Sequence, residues 1–178
     1  RMKIKVLPPD VNESFEEFGI VKDTGNIRFG LAAIKNVGFG AAEAIVEERK
    51  INGHYQNFED FLRRLGNKIL NKKIIEALSK TGALDNFAER NQILMNMETI
   101  LKFIGNKTST GENQMGLFSK TEMANNIHLS LEKTEEATKK QKLSWEKELL
   151  GMYVSEHPLK GMERILQKYA KPINEISL

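Results

Sequence analysis

The chain has 178 residues, of which 40% are apolar and 29% charged, and its net charge is +3. Such a composition predicts a soluble globular protein with one good core or two small ones. The absence of cysteine excludes disulfides and zinc–thiolate sites and favours a reducing cytoplasm. No apolar run approaches the length of a membrane span, so no membrane partner is expected.

Residues 1–30 carry strand and turn signals. Pro8, Pro9 and Asp10 exclude a helix locally, because proline lacks the amide that a helix needs. A polar turn at residues 23–26 separates two short apolar runs, residues 18–21 and 27–29. The pattern predicts a short β-hairpin.

Residues 31–104 show the apolar periodicity of five helices. The predicted spans are 31–36, 40–50, a helix capped by Asn57, a helix capped by Asn71, and 91–104. Their apolar faces predict a common core, formed by Ile34, Val37, Ile45, Phe58, Phe61, Leu62, Ile75, Leu78 and Leu94.

The segment Val37-Gly38-Phe39-Gly40 joins the first two of these helices. Two glycines predict a tight turn with positive φ, and the free N–H groups at the following helix start would suit a phosphate. An ordinary turn between helices with a glycine cap fits the two glycines equally well. The spaced Ala44, which lets helices pack closely, favours a helix-hairpin-helix element, which binds nucleic-acid backbone without reading bases.

A second turn at Gly82 lies 44 residues after Gly38, which suggests a tandem pair of such units. Six basic residues and a single acid, Glu76, lie between Arg63 and Lys80. Taken by itself, this run is better explained by a solvated helix face than by a nucleic-acid surface. The basic residues are Arg63, Arg64, Lys68, Lys72, Lys73 and Lys80.

Residues 105–138 are polar and rich in turn signals, which predicts a flexible linker. Inside it stands an apolar island, residues 114–118, which either binds a partner or pins the linker to the domain. Residues 139–178 predict a last helical region, interrupted at Gly151 and at His157-Pro158.

The sequence carries no catalytic motif: there is no P-loop, no nucleophile motif and no His/Asp metal cluster. The four aspartates all fall at predicted turns or helix caps. No catalytic residue and no metal ligand is therefore predicted in this chain.

Several segments, in the same order, resemble the C family of bacterial replicative polymerases, the alpha subunits of DNA polymerase III. They are residues 6–14, 27–31, 33–38, 71–73, 76–78, 82–85, 148–153 and 157–159. The resemblance covers nearly the whole chain.

The resemblance implies a mainly α fold with four parts. Residues 1–30 would end the fingers domain as a small β or irregular segment, and residues 31–104 would form a tandem helix-hairpin-helix domain that binds DNA. Residues 105–138 would be a flexible linker with a clamp-binding peptide, and residues 139–178 a helical lead-in to an OB domain.

The resemblance also implies that the chain is a fragment of a DNA-directed DNA polymerase, a nucleotidyltransferase of DNA replication. The catalytic aspartates of the family lie in a palm domain that this chain lacks. The fragment alone is expected to be inactive and to need no cofactor, whereas the parent polymerase would use Mg²⁺. The expected location is the bacterial cytoplasm, in a replisome associated with the nucleoid.

The expected partners are the backbone of double-stranded primer-template DNA, the sliding clamp and other replisome subunits. The residues assigned to DNA are Lys35, Val37, Gly38, Phe39, Gly40, Lys72, Lys73 and Gly82. Those assigned to the clamp are Gln114, Met115, Leu117 and Phe118, at the position of the family's internal clamp-binding peptide. The alternative is a purely structural helical connector between the fingers and OB domains.

Overall fold

A computed structural model describes residues 4–106 and 128–160, and its architecture is mainly helical. A short 3₁₀ helix and six α-helices follow a small sheet. The strands are β1 (Val6–Leu7), β2 (Gly19–Val21) and β3 (Asn26–Arg28). The helices are the 3₁₀ helix (Leu31–Ala33), α1 (Phe39–Asn52), α2 (Phe58–Ile69), α3 (Lys72–Lys80), α4 (Arg90–Met95), α5 (Met97–Asn106) and α6 (Lys139–Leu150).

The N-terminal sheet contains the predicted β-hairpin and one further strand. β2 pairs antiparallel with β3, with Ile20 opposite Ile27. β1 lies on the other side of β3, parallel to it, with Val6 opposite Ile27. The parallel pair brings together residues 21 positions apart, so the hairpin pattern alone could not reveal it.

Helix starts follow the polar caps. The Asn57 side chain accepts the Asp60 amide at 2.8 Å, and the Asn71 side chain accepts the Ile74 amide at 3.1 Å. Each cap satisfies an amide that has no partner inside its helix. Both predicted caps are therefore confirmed.

The core joins the helices to the N-terminal segment. Eight of the nine predicted core residues are buried, and Leu94 is partly buried against them. Val11 and Phe29, from the first 30 residues, belong to the same apolar cluster. The sheet segment and the helices therefore share one core.

Two predicted helices differ from the observed ones. The first, 31–36, is only a 3₁₀ helix, because Ile34 is extended and Asn36 has a φ of 72°. The predicted helix 91–104 is divided into α4 and α5 at Asn96. The Asn96 amide group donates to the carbonyls of Gln92 and Glu132, which favours a break over a continuous helix.

Residues 128–138, here called the strap, cross the helices without forming a helix or strand. The Asn96 side chain accepts the Glu132 amide at 2.9 Å, and Glu59 accepts the Leu129 amide at 2.9 Å. Leu129 and Leu131 pack partly buried against the core. The described end of the predicted linker is thus hydrogen-bonded to the helices, whereas residues 114–118 lie outside the described residues.

Candidate nucleic-acid interface

The first hairpin, residues 34–40, turns at an asparagine and not at its glycines. Asn36 has a φ of 72°, whereas Gly38 has a φ of −67° and a ψ of 158°. Gly38 and Gly40 are both absent from the residues with positive φ. The predicted positive φ at the glycines is therefore wrong, because Asn36 already supplies the left-handed residue.

The glycines of this hairpin leave its backbone open. A Cβ atom added at Gly38 or Gly40 would meet nothing within 4 Å. Gly38 caps α1, and its carbonyl accepts the amides of Ala41 and Ala42 at 3.0 and 3.1 Å. The amides of Gly38, Phe39 and Gly40 donate to no acceptor among the described residues.

These three amides lie at the N-terminus of a 14-residue helix. Unpaired N–H groups and the positive end of the helix dipole together favour an anion at this end. Because no side chain covers Gly38 or Gly40, a phosphate could approach the backbone directly. Chemically, the arrangement could accept a phosphate through backbone amides alone.

The side chains next to these amides differ in their exposure to solvent. Phe39 is 56% exposed, and Lys35 is also exposed. Val37 is 2% exposed and lies in the core, so it anchors the hairpin and offers no side chain to a ligand. The Lys35 amide donates to the Leu149 carbonyl at 3.0 Å, which ties the hairpin to the end of α6.

In the second hairpin, residues 81–89 between α3 and α4, the backbone at the glycine is not accessible to a ligand. Gly82 has a φ of 84° and is buried, and its amide donates to the Ser79 carbonyl at 3.0 Å. A Cβ atom at Gly82 would collide with the Arg90 guanidinium. Glycine is required here to admit Arg90, and Gly82 offers no amide to a phosphate in this structure.

Arg90 connects the second hairpin to α6. Its guanidinium bonds Asp85 at 2.9 Å and the Lys80 carbonyl at 3.0 Å, and it lies 3.5 Å from Glu146. The Glu146 side chain is fully buried and also accepts the amides of Val154 and Ser155. The sequence pattern gives no sign of this cluster, because Arg90 and Glu146 are 56 positions apart.

The basic run between the hairpins is divided between two roles. Arg63 bonds Glu59 and lies over the Phe103 ring, and Arg64 bonds Glu48 and the Gly53 carbonyl. These two arginines hold the helices together.

Three lysines of the same run face solvent. Lys72, at the start of α3, lies 3.9 Å from Glu76 and is 64% exposed. Lys68 and Lys73 are exposed and have no ion pair in the described part of the chain. Lys68, Lys72 and Lys73 therefore remain available to attract a polyanion.

Within residues 4–106 and 128–160, no group of three or more His, Asp or Glu side chains could hold a metal ion. Nor does any helix in these two ranges have the length and apolarity that a membrane span requires.

Comparisons with known proteins agree on one family. The helix-hairpin-helix motif family matches residues 3–93. The chain is 39% identical over 175 residues to DNA polymerase III subunit alpha of Thermus aquaticus, a match that covers 98% of this chain and 14% of that protein. It is 36% identical over 171 residues to the Borreliella burgdorferi subunit, covering 94% of this chain and 15% of that protein.

The subunit of Saccharopolyspora erythraea is 39% identical over 178 residues, covering 95% of this chain and 15% of that protein. The chain thus spans about one seventh of the length of these relatives. The chain therefore belongs to the helix-hairpin-helix motif family and is homologous to a segment of bacterial DNA polymerase III subunit alpha.

Proposed function

We propose that this chain is the part of a replicative DNA polymerase that binds duplex primer-template DNA through its phosphate backbone. The observation that carries the proposal is the open first hairpin, where the amides of Gly38, Phe39 and Gly40 lack acceptors among the described residues. Lys35, Lys72 and Lys73 would add attraction that does not depend on sequence. Gly82 is left out, because Arg90 closes the second hairpin.

Binding should be independent of DNA sequence and weaken as salt is added, because released counterions drive it. The expected dissociation constant of the isolated chain is roughly 10⁻⁴–10⁻⁶ M. Replacing both Gly38 and Gly40 by valine should weaken duplex binding about tenfold, because the side chains would shield the amides. Fluorescence anisotropy of a labelled blunt-ended duplex measures the change.

The fold should survive this double substitution, since neither glycine has positive φ and both face open space. The matched control is Gly105→Val on α5, where an added Cβ also meets nothing within 4 Å. The control should bind the duplex as the parent does. Equal binding by a folded Gly38→Val/Gly40→Val variant would remove the first hairpin from the interface.

We further propose that residues 114–118 tether the polymerase to its sliding clamp. The support is the sequence alone: an apolar pentapeptide stands inside a polar stretch, at the position of the family's clamp-binding peptide. Gln114 would hydrogen-bond at the rim of a pocket, Met115 would contact that rim, and Leu117 and Phe118 would fill it. A single short peptide gives modest affinity, and the tether raises its effective concentration.

Calorimetry of a peptide of residues 110–120 against the cognate clamp tests this tether. We expect Phe118→Ala to cost about 2 kcal/mol or more of binding free energy, as buried aromatic anchors usually do. The control, Ser119→Ala, should leave the affinity unchanged. No heat of binding with the parent peptide, or equal binding after Leu117→Ala/Phe118→Ala, would contradict the clamp assignment.

A purely structural connector is the competing function. The Arg90–Glu146 cluster and the hydrogen-bonded strap favour it, because both hold segments of this chain to one another. A connector alone would show no salt-dependent affinity for duplex DNA. The anisotropy titration therefore separates the two functions.

A further inference from the structure

A groove of about 790 Å³ lies along α6 and the segment that follows it. Its apolar surface comes from Leu143, Tyr153 and Pro158, and Lys139, Lys140 and Lys147 also line it. Three lysines and one glutamate, Glu148, give the lining a net charge of +2. The groove is large enough for a small organic group and is positively charged.

One of these lysines lies beside the aromatic ring. The Lys147 ammonium lies 5.8 Å from the centre of the Tyr153 ring and donates to the Gly151 carbonyl at 3.0 Å. Tyr153 is 40% exposed. Lys140 is exposed and has no ion pair in the two described ranges, whereas Lys139 pairs with Glu156. An accessible ring beside one lysine, in a groove that a second lysine also lines, is a surface on which a base can stack while phosphates bind nearby.

The C-terminal end of α6 lies next to the first hairpin. Leu149, whose carbonyl accepts the Lys35 amide, follows Lys147 by two residues, or about 3 Å along the helix axis. Lys140 lies seven positions before Lys147, about 10 Å along the same axis. Residues two positions apart lie on opposite sides of a helix, so Lys147 is separated from the hairpin contact by about one helix diameter, roughly 10–12 Å. A strand that leaves a duplex held at Gly38 and Gly40 could pass around the end of α6 and reach Lys147 within a few nucleotides.

We propose that this groove binds single-stranded DNA, with phosphates near Lys140 and Lys147 and a base against the Tyr153 ring. The inference rests on the proposed DNA binding for its class of ligand, but it concerns a separate surface. An acidic apolar peptide is the other occupant that the charge allows. The nearness of the C-terminal end of α6 to the first hairpin and the exposed ring beside Lys147 favour the nucleic acid.

The test compares three labelled probes on the complete 178-residue chain: a blunt duplex, the same duplex with a thymidine tail, and oligothymidylate of about 12 nucleotides. The tailed duplex should bind roughly fivefold more tightly than the blunt one, as one stacked base would provide. Tyr153→Ala should abolish this gain and leave blunt-duplex affinity unchanged. Tyr153→Phe should retain the gain, because its ring still stacks.

Two further variants test the cations. Lys140→Glu/Lys147→Glu should also abolish the gain and reduce the salt slope for oligothymidylate by about two. The matched controls are Lys102→Glu, an exposed lysine on α5, and Phe18→Ala, a 52% exposed ring beside the sheet. Both controls should keep the gain, and circular dichroism checks that every variant is folded.

A tail that adds no affinity, or a gain that survives Tyr153→Ala, would overturn the inference. So would binding of a labelled Glu/Leu-rich peptide at this groove without any binding of oligothymidylate, which would indicate a protein partner. The two proposals fail separately. The blunt duplex reports on the first hairpin, and the Tyr153-dependent gain of the tailed duplex reports on the groove.

Discussion

At the scale of single residues, Arg90 decides what the second hairpin does. Its side chain is 5% exposed and lies between Asp85 and the fully buried Glu146. Removing one partner of a buried ion pair leaves the other charge without compensation. We expect Arg90→Ala to lower the free energy of unfolding by about 3–5 kcal/mol, measured by urea denaturation.

The control for Arg90 is an exposed ion pair. Lys50 is 53% exposed and lies 3.6 Å from Glu16, so Lys50→Ala should cost about 1 kcal/mol or less. If the two variants were equally stable, the Arg90 cluster would not hold α6 to the second hairpin.

At the scale of elements, the strap depends on a carboxylate of α2. The Leu129 amide is the main cause that lowers the pKa of Glu59, and Arg63 lowers it further. A lowered pKa in the folded state means that the ionised Glu59 stabilises the fold above its ordinary pKa of 4.5. This contribution is lost as the pH falls below that value.

We therefore expect Glu59→Gln to be less stable than the parent chain at neutral pH. Its free energy of unfolding should also fall less steeply between about pH 5 and pH 3. Amide hydrogen exchange at Leu129 should become faster, because its acceptor is weakened. The control is Glu43→Gln on α1, an exposed residue without an ion pair in the described ranges, which should behave as the parent.

At the scale of the whole molecule, residues 6–30 are built into the helical core. The Asn12 side chain donates to the Tyr55 carbonyl and accepts the Tyr55 amide, both at 2.9 Å. The buried Arg49 donates to the Val11 carbonyl at 2.7 Å, and the Val11 amide donates to the Ala83 carbonyl of the second hairpin. The N-terminal segment therefore holds α1 and the second hairpin together.

A chain that begins at Leu31 should be much less stable than the full chain. Losing the burial of Val11 and Phe29 alone should cost roughly 3–6 kcal/mol of unfolding free energy. Urea denaturation, monitored by circular dichroism, measures this loss of unfolding free energy. A chain that begins at Lys5 is the control and should unfold as the parent does. Equal midpoints for all three chains would mean that residues 31–104 fold independently of the N-terminal segment.

The sequence by itself determined the features that depend on neighbours a few positions apart. Helix caps, the apolar faces and the β2–β3 hairpin are such features, because each needs groups within one turn of helix or one tight turn. The fold class followed from them, and the family followed from the order of the matching segments. The open amides at Gly38 and Gly40 could also be predicted, since they depend only on a helix start without side chains. The clamp assignment of residues 114–118 remains a prediction.

The tertiary structure alone decided features that join distant parts of the chain. Asn96 breaks a periodic helix because it bonds Glu132, 36 positions away. The Arg90 guanidinium packs against Gly82, and the same guanidinium also contacts Glu146. Each feature depends on a side chain that another element brings into reach, and the local pattern around Asn96 or Gly82 carries no sign of that partner. That is why one predicted phosphate site is open and the other is filled by the protein itself.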